Sequence, residues 1–116
     1  MDPERRHRET WIDRLVAASA EPVNVQLSPE PGVRFPVELF ADRGPGFVAP
    51  GSLGLSQQLE RDLIDWLHWW AHHVSPGGDA VVAGDDAEWR LWGQEGQRLR
   101  QALQRELGEE FLVRGC

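Results

Sequence analysis

Two stretches of apolar residues at helical spacing constrain the fold of this chain more than any other feature. The first stretch repeats its apolar residues every three or four positions: Leu59, Leu63, Trp66, Leu67, Trp70 and Val74. The second repeats them in the same way: Trp89, Trp92, Gly96, Leu99, Leu103 and Leu107. Because residues three and four apart share one face of a helix, each stretch predicts an amphipathic helix with a buried stripe.

The residues at the ends of both stretches are typical of helix boundaries. Ser56 is an N-cap for the first helix, and the Ser-Pro-Gly-Gly segment at 75–78 stops it. Asp85 followed by Glu88 has the spacing of a capping box, and Gly108 follows the last apolar residue of the second stripe. The sequence therefore predicts where each helix begins and ends.

A glycine inside the second stripe predicts a close contact. Gly96 lowers the helix propensity by roughly 1 kcal/mol relative to alanine. Its place among large apolar residues indicates that another element, such as a tryptophan ring, approaches the helix there.

The rest of the chain predicts a further helix and a small sheet. Apolar residues recur at helical spacing within residues 3–20, where Pro3 suits a first helical turn, and Glu21-Pro22 ends that helix. Two segments then alternate apolar and polar residues, which is typical of a hairpin. Their apolar positions are Val23, Val25 and Leu27, and then Val33, Phe35, Val37 and Leu39. Residues 41–54 form a Gly/Pro-rich loop, and residues 110–114 form a third strand.

This order of elements predicts an α+β fold. We expect a single domain, residues 1–116, that forms a two-layer sandwich. Its layers are a small antiparallel sheet, made of the hairpin and the C-terminal strand, and two or three covering helices. We expect four tryptophans to pack together over the hairpin face: Trp66, Trp70, Trp89 and Trp92.

Composition and charge exclude several classes of function. The formal net charge of -7 lacks the basic surface that a phosphate backbone requires, so nucleic acid is not an expected partner. No apolar run is long enough to span a bilayer and no signal peptide is recognisable, so we expect a cytoplasmic protein. The single cysteine, Cys116, excludes an intrachain disulfide and indicates an incidental exposed thiol.

A metal site is the alternative that the histidines raise. Asp65, His68 and His72 fall close together on the polar face of the first long helix, and two histidines four residues apart can share a metal ion. The pattern lacks a base between the ligands and a fourth ligand. We therefore expect solvated histidines, no metal, no cofactor and no catalytic residue. A small metal-dependent hydrolase, with residues 42–54 as a lid, remains the enzymatic alternative.

Trp69 is the residue that most suggests a binding surface. It lies off the core stripe, beside Asp62 and Asp65, and either the N-terminal helix or a partner should cover it. A partner interface would join these three residues to the acidic loop at Asp85 and Asp86. Such a surface matches a basic protein partner.

The chain also resembles a known group of proteins between about Val33 and Val113. The resemblance rests on Val37-Glu38-Leu39-Phe40 before a Gly/Pro loop, on Leu55-Ser56 with Leu59, Leu63 and Trp66, and on Trp92, Gly96, Leu99, Leu103, Glu106 and Leu107. This pattern is similar to that of small actinobacterial proteins, some of which resemble immunity proteins of polymorphic toxin systems. It transfers no catalytic residue to this chain.

We therefore interpret the chain as a non-enzymatic protein-binding module. The resemblance implies an immunity or inhibitor protein, and the acidic surface indicates a basic partner. The hydrolase on the His68/His72 face and an oligomerisation module that forms homo-oligomers remain as alternatives.

Overall fold

The computed structural model describes residues 8–41 and 44–115, and over these residues it confirms the α+β fold. The helices are α1 (Thr10–Ala18), α2 (Gln57–His73) and α3 (Asp86–Leu107). The strands are β1 (Val23–Leu27), β2 (Val37–Ala41), β3 (Gly44–Phe47) and β4 (Phe111–Arg114). No helix among the described residues is long and apolar enough to cross a membrane.

The N-terminal helix is shorter, in its described part, than the sequence predicts. It begins at Thr10, and its Ile12 is fully buried in the core while Trp11 is 49% exposed. The predicted start at Pro3 lies outside the described residues, as does Cys116.

The four strands form one mixed sheet in the order β3-β2-β1-β4. The predicted hairpin is confirmed, because β1 pairs antiparallel with β2 and Val25 lies opposite Leu39. The prediction of a wholly antiparallel sheet is wrong, since β4 runs parallel to β1 with Val113 opposite Val25. The direction of β4 depends on the end of the sheet at which α3 finishes. The alternation of apolar and polar residues within a strand does not predict that position.

Two details of the sheet differ from the sequence prediction. The second hairpin strand begins at Val37 rather than Val33, and Pro36 lies just before it, where its carbonyl accepts the Ser28 N–H at 2.8 Å. The predicted loop contains β3, which pairs antiparallel with β2. Three of its four residues, Gly-Pro-Gly, are depleted in strands, so the pairing with β2 rather than local propensity makes it a strand.

One face of the sheet packs against the helices and forms the core. The buried sheet residues are Val23, Val25, Leu27, Val37, Leu39, Phe111 and Val113. The buried helix residues that join them in one cluster are Ile12, Leu59, Leu63, Trp66, Leu99, Leu103 and Leu107. On the opposite face Phe40 is 37% and Leu112 is 44% exposed. The alternation predicted for the hairpin is thereby confirmed for β1 and β2, and β4 alternates in the same way.

The outer edge of β4 is occupied by a side chain from α3. The Gln104 amide donates from Nε2 to the carbonyl of Phe111 at 2.8 Å, and its Oε1 accepts the N–H of Val113 at 2.9 Å. The Phe111 N–H donates to the carbonyl of Gly108 at 3.3 Å. One glutamine thus makes the hydrogen bonds that a neighbouring strand would make.

The start of α2 is held by a carboxylate from the far end of α3. The Ser56 hydroxyl accepts the N–H of Leu59 at 3.3 Å, which confirms Ser56 as the N-cap. Glu106 accepts both the backbone N–H and the hydroxyl of Ser56, each at 2.7 Å. The third residue of α2 is a leucine, so Glu106 provides the acceptor that a capping box normally takes from its own helix.

Replacing Glu106 by alanine should destabilise the fold. The change leaves the backbone N–H of the buried Ser56 without its acceptor and removes a negative charge from a helix N-terminus. We expect the free energy of unfolding to fall by about 2 kcal/mol, measured by urea denaturation with tryptophan fluorescence. Glu109→Ala, at an exposed residue just after α3, is the matched control. An equal and small effect of both changes would contradict this role.

Candidate functional site

The N-terminus of α3 forms the capping box that the sequence predicts. The Asp85 carboxylate accepts the N–H of Glu88 at 2.8 Å, and Glu88 Oε1 accepts the N–H of Asp85 at 3.2 Å. Asp85 is therefore engaged in the cap, whereas Asp86 is exposed in the first turn of the helix.

A reciprocal pair of tryptophans joins α2 to α3. Nε1 of Trp66 donates to the carbonyl of Trp92, and Nε1 of Trp92 donates to the carbonyl of Trp66, both at 3.0 Å. The two rings stack with centroids 4.4 Å apart and planes 2° from parallel. Both indole N–H groups are thus satisfied in a partly buried contact, which fixes the two helices against each other.

Gly96 makes room for this pair, as its position in the stripe predicts. A Cβ added to Gly96 would lie 3.0 Å from Cζ2 of Trp66, closer than ordinary packing allows. The missing side chain lets the Trp66 ring lie against the backbone of α3. The prediction of a tryptophan ring at Gly96 is confirmed.

Three more aromatic rings extend from this pair towards the end of α2. Trp69 stacks on His73 with a centroid distance of 3.7 Å and meets Trp89 edge-on at 4.9 Å. Trp89 in turn meets Trp92 edge-on at 5.5 Å. We refer to Trp66, Trp69, His73, Trp89 and Trp92 as the aromatic cluster.

The prediction that Trp70 belongs to this cluster is wrong, and Trp69 takes that place. Trp70 lies instead near Gly78, where an added Cβ would be 3.1 Å from its ring. The reason is that α2 has two neighbours. Its main stripe faces the sheet, and the flank that carries Trp69 faces α3.

The described part of the N-terminal helix provides none of the rings that contact Trp69, whereas cover by a partner stays a prediction. The rings that contact Trp69 come from α3 and from its own helix. The residue is only partly buried, and its remaining surface lines an open groove.

This groove, between α2 and α3, is the candidate site. It has a volume of about 360 Å³ and is lined by Asp62, Asp65, Trp66, Trp69, Leu91, Trp92 and Glu95. The structure thus brings together three of the five residues that the sequence suggests for binding: Asp62, Asp65 and Trp69. Asp85 and Asp86 are not among the lining residues. We call this concavity the acidic groove.

The carboxylates of the acidic groove differ in what they contact. Asp62 accepts from Gln58 Nε2 at 2.8 Å and pairs with Arg98 at 3.1 Å. Arg98 also pairs with Glu95, and the hydrogen bonds that its guanidinium donates to Glu95 and Asp62 raise its pKa. Asp65 is exposed and has no hydrogen bond or ion pair to any residue that the structure describes. Three carboxylates against one guanidinium leave the groove negative.

Leu91 is the lining residue that sequence reasoning missed. Its side chain is 63% exposed although it is large and apolar. The available signal was its position off the apolar stripe of α3, where a leucine has no core to enter. Glu95 was missed as well, because an acidic residue on a solvated helix face has no distinguishing pattern.

His68, His72 and His73 form no metal site with the described residues around them. His68 and His72 are exposed, and Nδ1 of His72 lies 2.7 Å from the carbonyl of His68. Nδ1 of His73 lies 2.6 Å from the carbonyl of Trp69. Within residues 8–41 and 44–115, no three His, Cys, Asp or Glu side chains are grouped so that they could hold a metal ion.

The chain matches the model of a known protein family. The family described as Serratia CdiI immunity protein-like matches residues 23–114, which include all four strands, α2 and α3. A comparison with curated proteins found no match.

Truncating Trp92 should test the tryptophan pair. Trp92→Ala removes a stacked ring and leaves a cavity next to Gly96, so we expect the free energy of unfolding to fall by about 3 to 5 kcal/mol. Trp11→Ala is the control, because Trp11 is 49% exposed and lies outside the cluster. Chemical denaturation of both variants measures the difference. A loss no larger than that of Trp11→Ala would contradict the central position of the pair.

Removal of metal ions should leave the stability unchanged. We expect the same melting temperature after dialysis against a chelator as after dialysis against buffer alone, because no closed ligand set supports the fold. Differential scanning calorimetry and metal analysis provide the measurement. Stoichiometric zinc in the purified protein, lost together with several degrees of melting temperature, would overturn the prediction.

Proposed function

Because the chain belongs to the Serratia CdiI immunity protein-like family, we propose that it neutralises a protein toxin by binding it through the acidic groove. The family supports the immunity role, and the assignment of the groove is our own. One observation carries this assignment. Exposed Asp65 and exposed Leu91 line the same open space beside the aromatic cluster, and no residue that the structure describes covers or pairs with either side chain.

The composition of the groove favours a cationic side chain from the toxin. Indole faces attract cations, and Trp69 and Trp92 form part of the lining beside Asp65. A guanidinium can stack on an aromatic face while it donates to a carboxylate. Arg98 of the chain itself already pairs with two carboxylates of this groove, Asp62 and Glu95. We therefore propose that an arginine or lysine of a basic toxin surface enters the groove and pairs with Asp65.

The groove has room for an anchoring side chain of the toxin, but it is too small to form the whole interface. A volume of about 360 Å³ holds one or two side chains, while a stable protein interface buries about 800 Å² on each partner. Binding energy often concentrates at such a central anchor, with a polar rim around it. We place Asp86 in this rim, because it is exposed one turn before Trp89 on the same helix. Asp85 contributes to this proposed rim indirectly, because it caps the helix that carries Asp86.

We propose that the protein acts by binding alone, in the cytoplasm and without a cofactor. No observation favours the alternative of a metal-dependent hydrolase on the His68/His72 face. Nδ1 of His72 contacts the backbone carbonyl of His68, and the His68 side chain is exposed on the same helix.

Reversing the charge of Asp65 tests the proposal most directly. Asp65 is exposed and unpaired among the described residues, so Asp65→Lys should leave the melting temperature almost unchanged. We expect it to weaken binding to the toxin encoded in the adjacent reading frame by about 2 kcal/mol or more, and to slow association most at low salt. Surface plasmon resonance at several salt concentrations measures both effects. Glu109→Lys makes the same charge change at the far end of α3 and serves as the control.

A second variant separates apolar contact from charge. Leu91→Asp makes the groove more acidic and removes its exposed apolar side chain. If the toxin packs on Leu91, we expect affinity to fall at all salt concentrations, because buried apolar contact is not screened. Equal toxin affinity of Asp65→Lys, Leu91→Asp and the unchanged protein would show that the toxin binds elsewhere.

A further inference from the structure

The sheet face that the helices leave uncovered carries an ordered pattern of side chains. The pairing of β2, β1 and β4 sets two rows across it. One row is Phe40, Asn24 and Leu112, and the next is Glu38, Gln26 and Arg114. Each row therefore has a polar residue of β1 at its centre. In the first row apolar residues flank that centre, and in the second row opposite charges do.

This face is also open to a partner. Phe40 is 37% and Leu112 is 44% exposed, and the strands that carry them bury their other face in the core. Two hollows meet at Phe40. One, of about 640 Å³, runs between the end of α1 and Asn24, and the other, of about 280 Å³, runs towards Arg114. None of the described helices packs across these rows.

We infer that this face binds a second copy of the chain, sheet against sheet. A twofold axis along β1, between the two sheets, exchanges the two ends of each row. Glu38 then faces the partner's Arg114, and Phe40 faces the partner's Leu112. The polar centre, Gln26, faces its own counterpart. Such a contact is isologous, so each charge pair and each apolar pair forms twice.

The charge pattern favours a second copy over a toxin on this face. One acidic and one basic residue in the row balance each other, so the row does not attract a partner with a strong net charge. The same two charges match each other when a copy is placed across the twofold axis. The acidic groove lies on the helical layer, so a dimer of this kind leaves it free. The inference goes beyond the proposed function and does not depend on it.

The dimensions of the face predict a weak, reversible dimer. Four strands at ordinary spacing and about five residues of length give a face of roughly 19 by 16 Å. That is smaller than the roughly 800 Å² per partner of a standard interface. The dimer should therefore dissociate on dilution, and its fraction should rise steadily with protein concentration.

Sedimentation equilibrium over a wide range of protein concentration tests the inference, with a charge swap as the decisive comparison. We expect the unchanged protein to shift from monomer towards dimer as its concentration rises. Glu38→Arg places like charges opposite each other at two symmetry-related points, and Arg114→Glu does the same. Each should raise the dimer dissociation constant at least about tenfold. The double variant with both changes restores opposite charges and should return the constant to within about threefold of the original value.

Two results would overturn the inference. One is an unchanged protein that stays monomeric up to near-millimolar concentration. The other is a dimer that the single variants form as readily as the unchanged protein, or that the double variant fails to restore. Circular dichroism on every variant checks that the fold is kept. Toxin affinity, measured at concentrations at which the protein is monomeric, should be the same for all four proteins. Failure of the dimer therefore leaves the groove proposal standing, and failure of the groove proposal leaves the dimer standing.

Discussion

The two hydrogen bonds that Trp66 and Trp92 exchange with each other's backbone carbonyls are the interaction on which the rest of the structure depends. Because an indole N–H points in a single direction, each hydrogen bond forms only when the two helices lie at one separation and in one register. Gly96 allows that separation, since any side chain there would meet the Trp66 ring. With this contact fixed, Glu106 reaches Ser56 at the other end of the helix pair.

The same tryptophans form part of the lining of the acidic groove, so under the proposed function stability and recognition share residues. Trp66 is buried in the core, while Trp69 and Trp92 present part of their surface to the groove. Substituting them changes the fold and the surface together. Asp65 and Leu91, by contrast, contribute to the groove without supporting the core. The scaffold can therefore stay constant while the residues that meet a partner change, which is what discrimination between similar partners requires.

The sequence predicted the parts of this structure that depend on near neighbours in the chain. The Ser56 and Asp85 caps, the two helical stripes and the tight contact at Gly96 all follow from local spacing and residue chemistry. What depends on distant elements was missed or misassigned. The direction of β4 and the strand β3 follow from pairing partners. Trp69 takes the place predicted for Trp70 because α2 packs against two surfaces, the sheet and α3. A single helical repeat of apolar residues predicts only one buried face. The sequence identified three groove residues, Asp62, Asp65 and Trp69, because a large ring beside carboxylates is unusual. Leu91 could not be identified without knowing where α3 lies.

The Gln104 side chain has a consequence for how this protein meets other chains. An open strand edge presents unpaired N–H and C=O groups that can recruit another strand, and this is a common route to aggregation. Here the N–H and C=O of Phe111 and the N–H of Val113 already have partners. Any strand that approached would have to displace the Gln104 amide from two of these groups. The β4 edge therefore resists extension of the sheet, which lowers the tendency of one folded chain to recruit a strand of another.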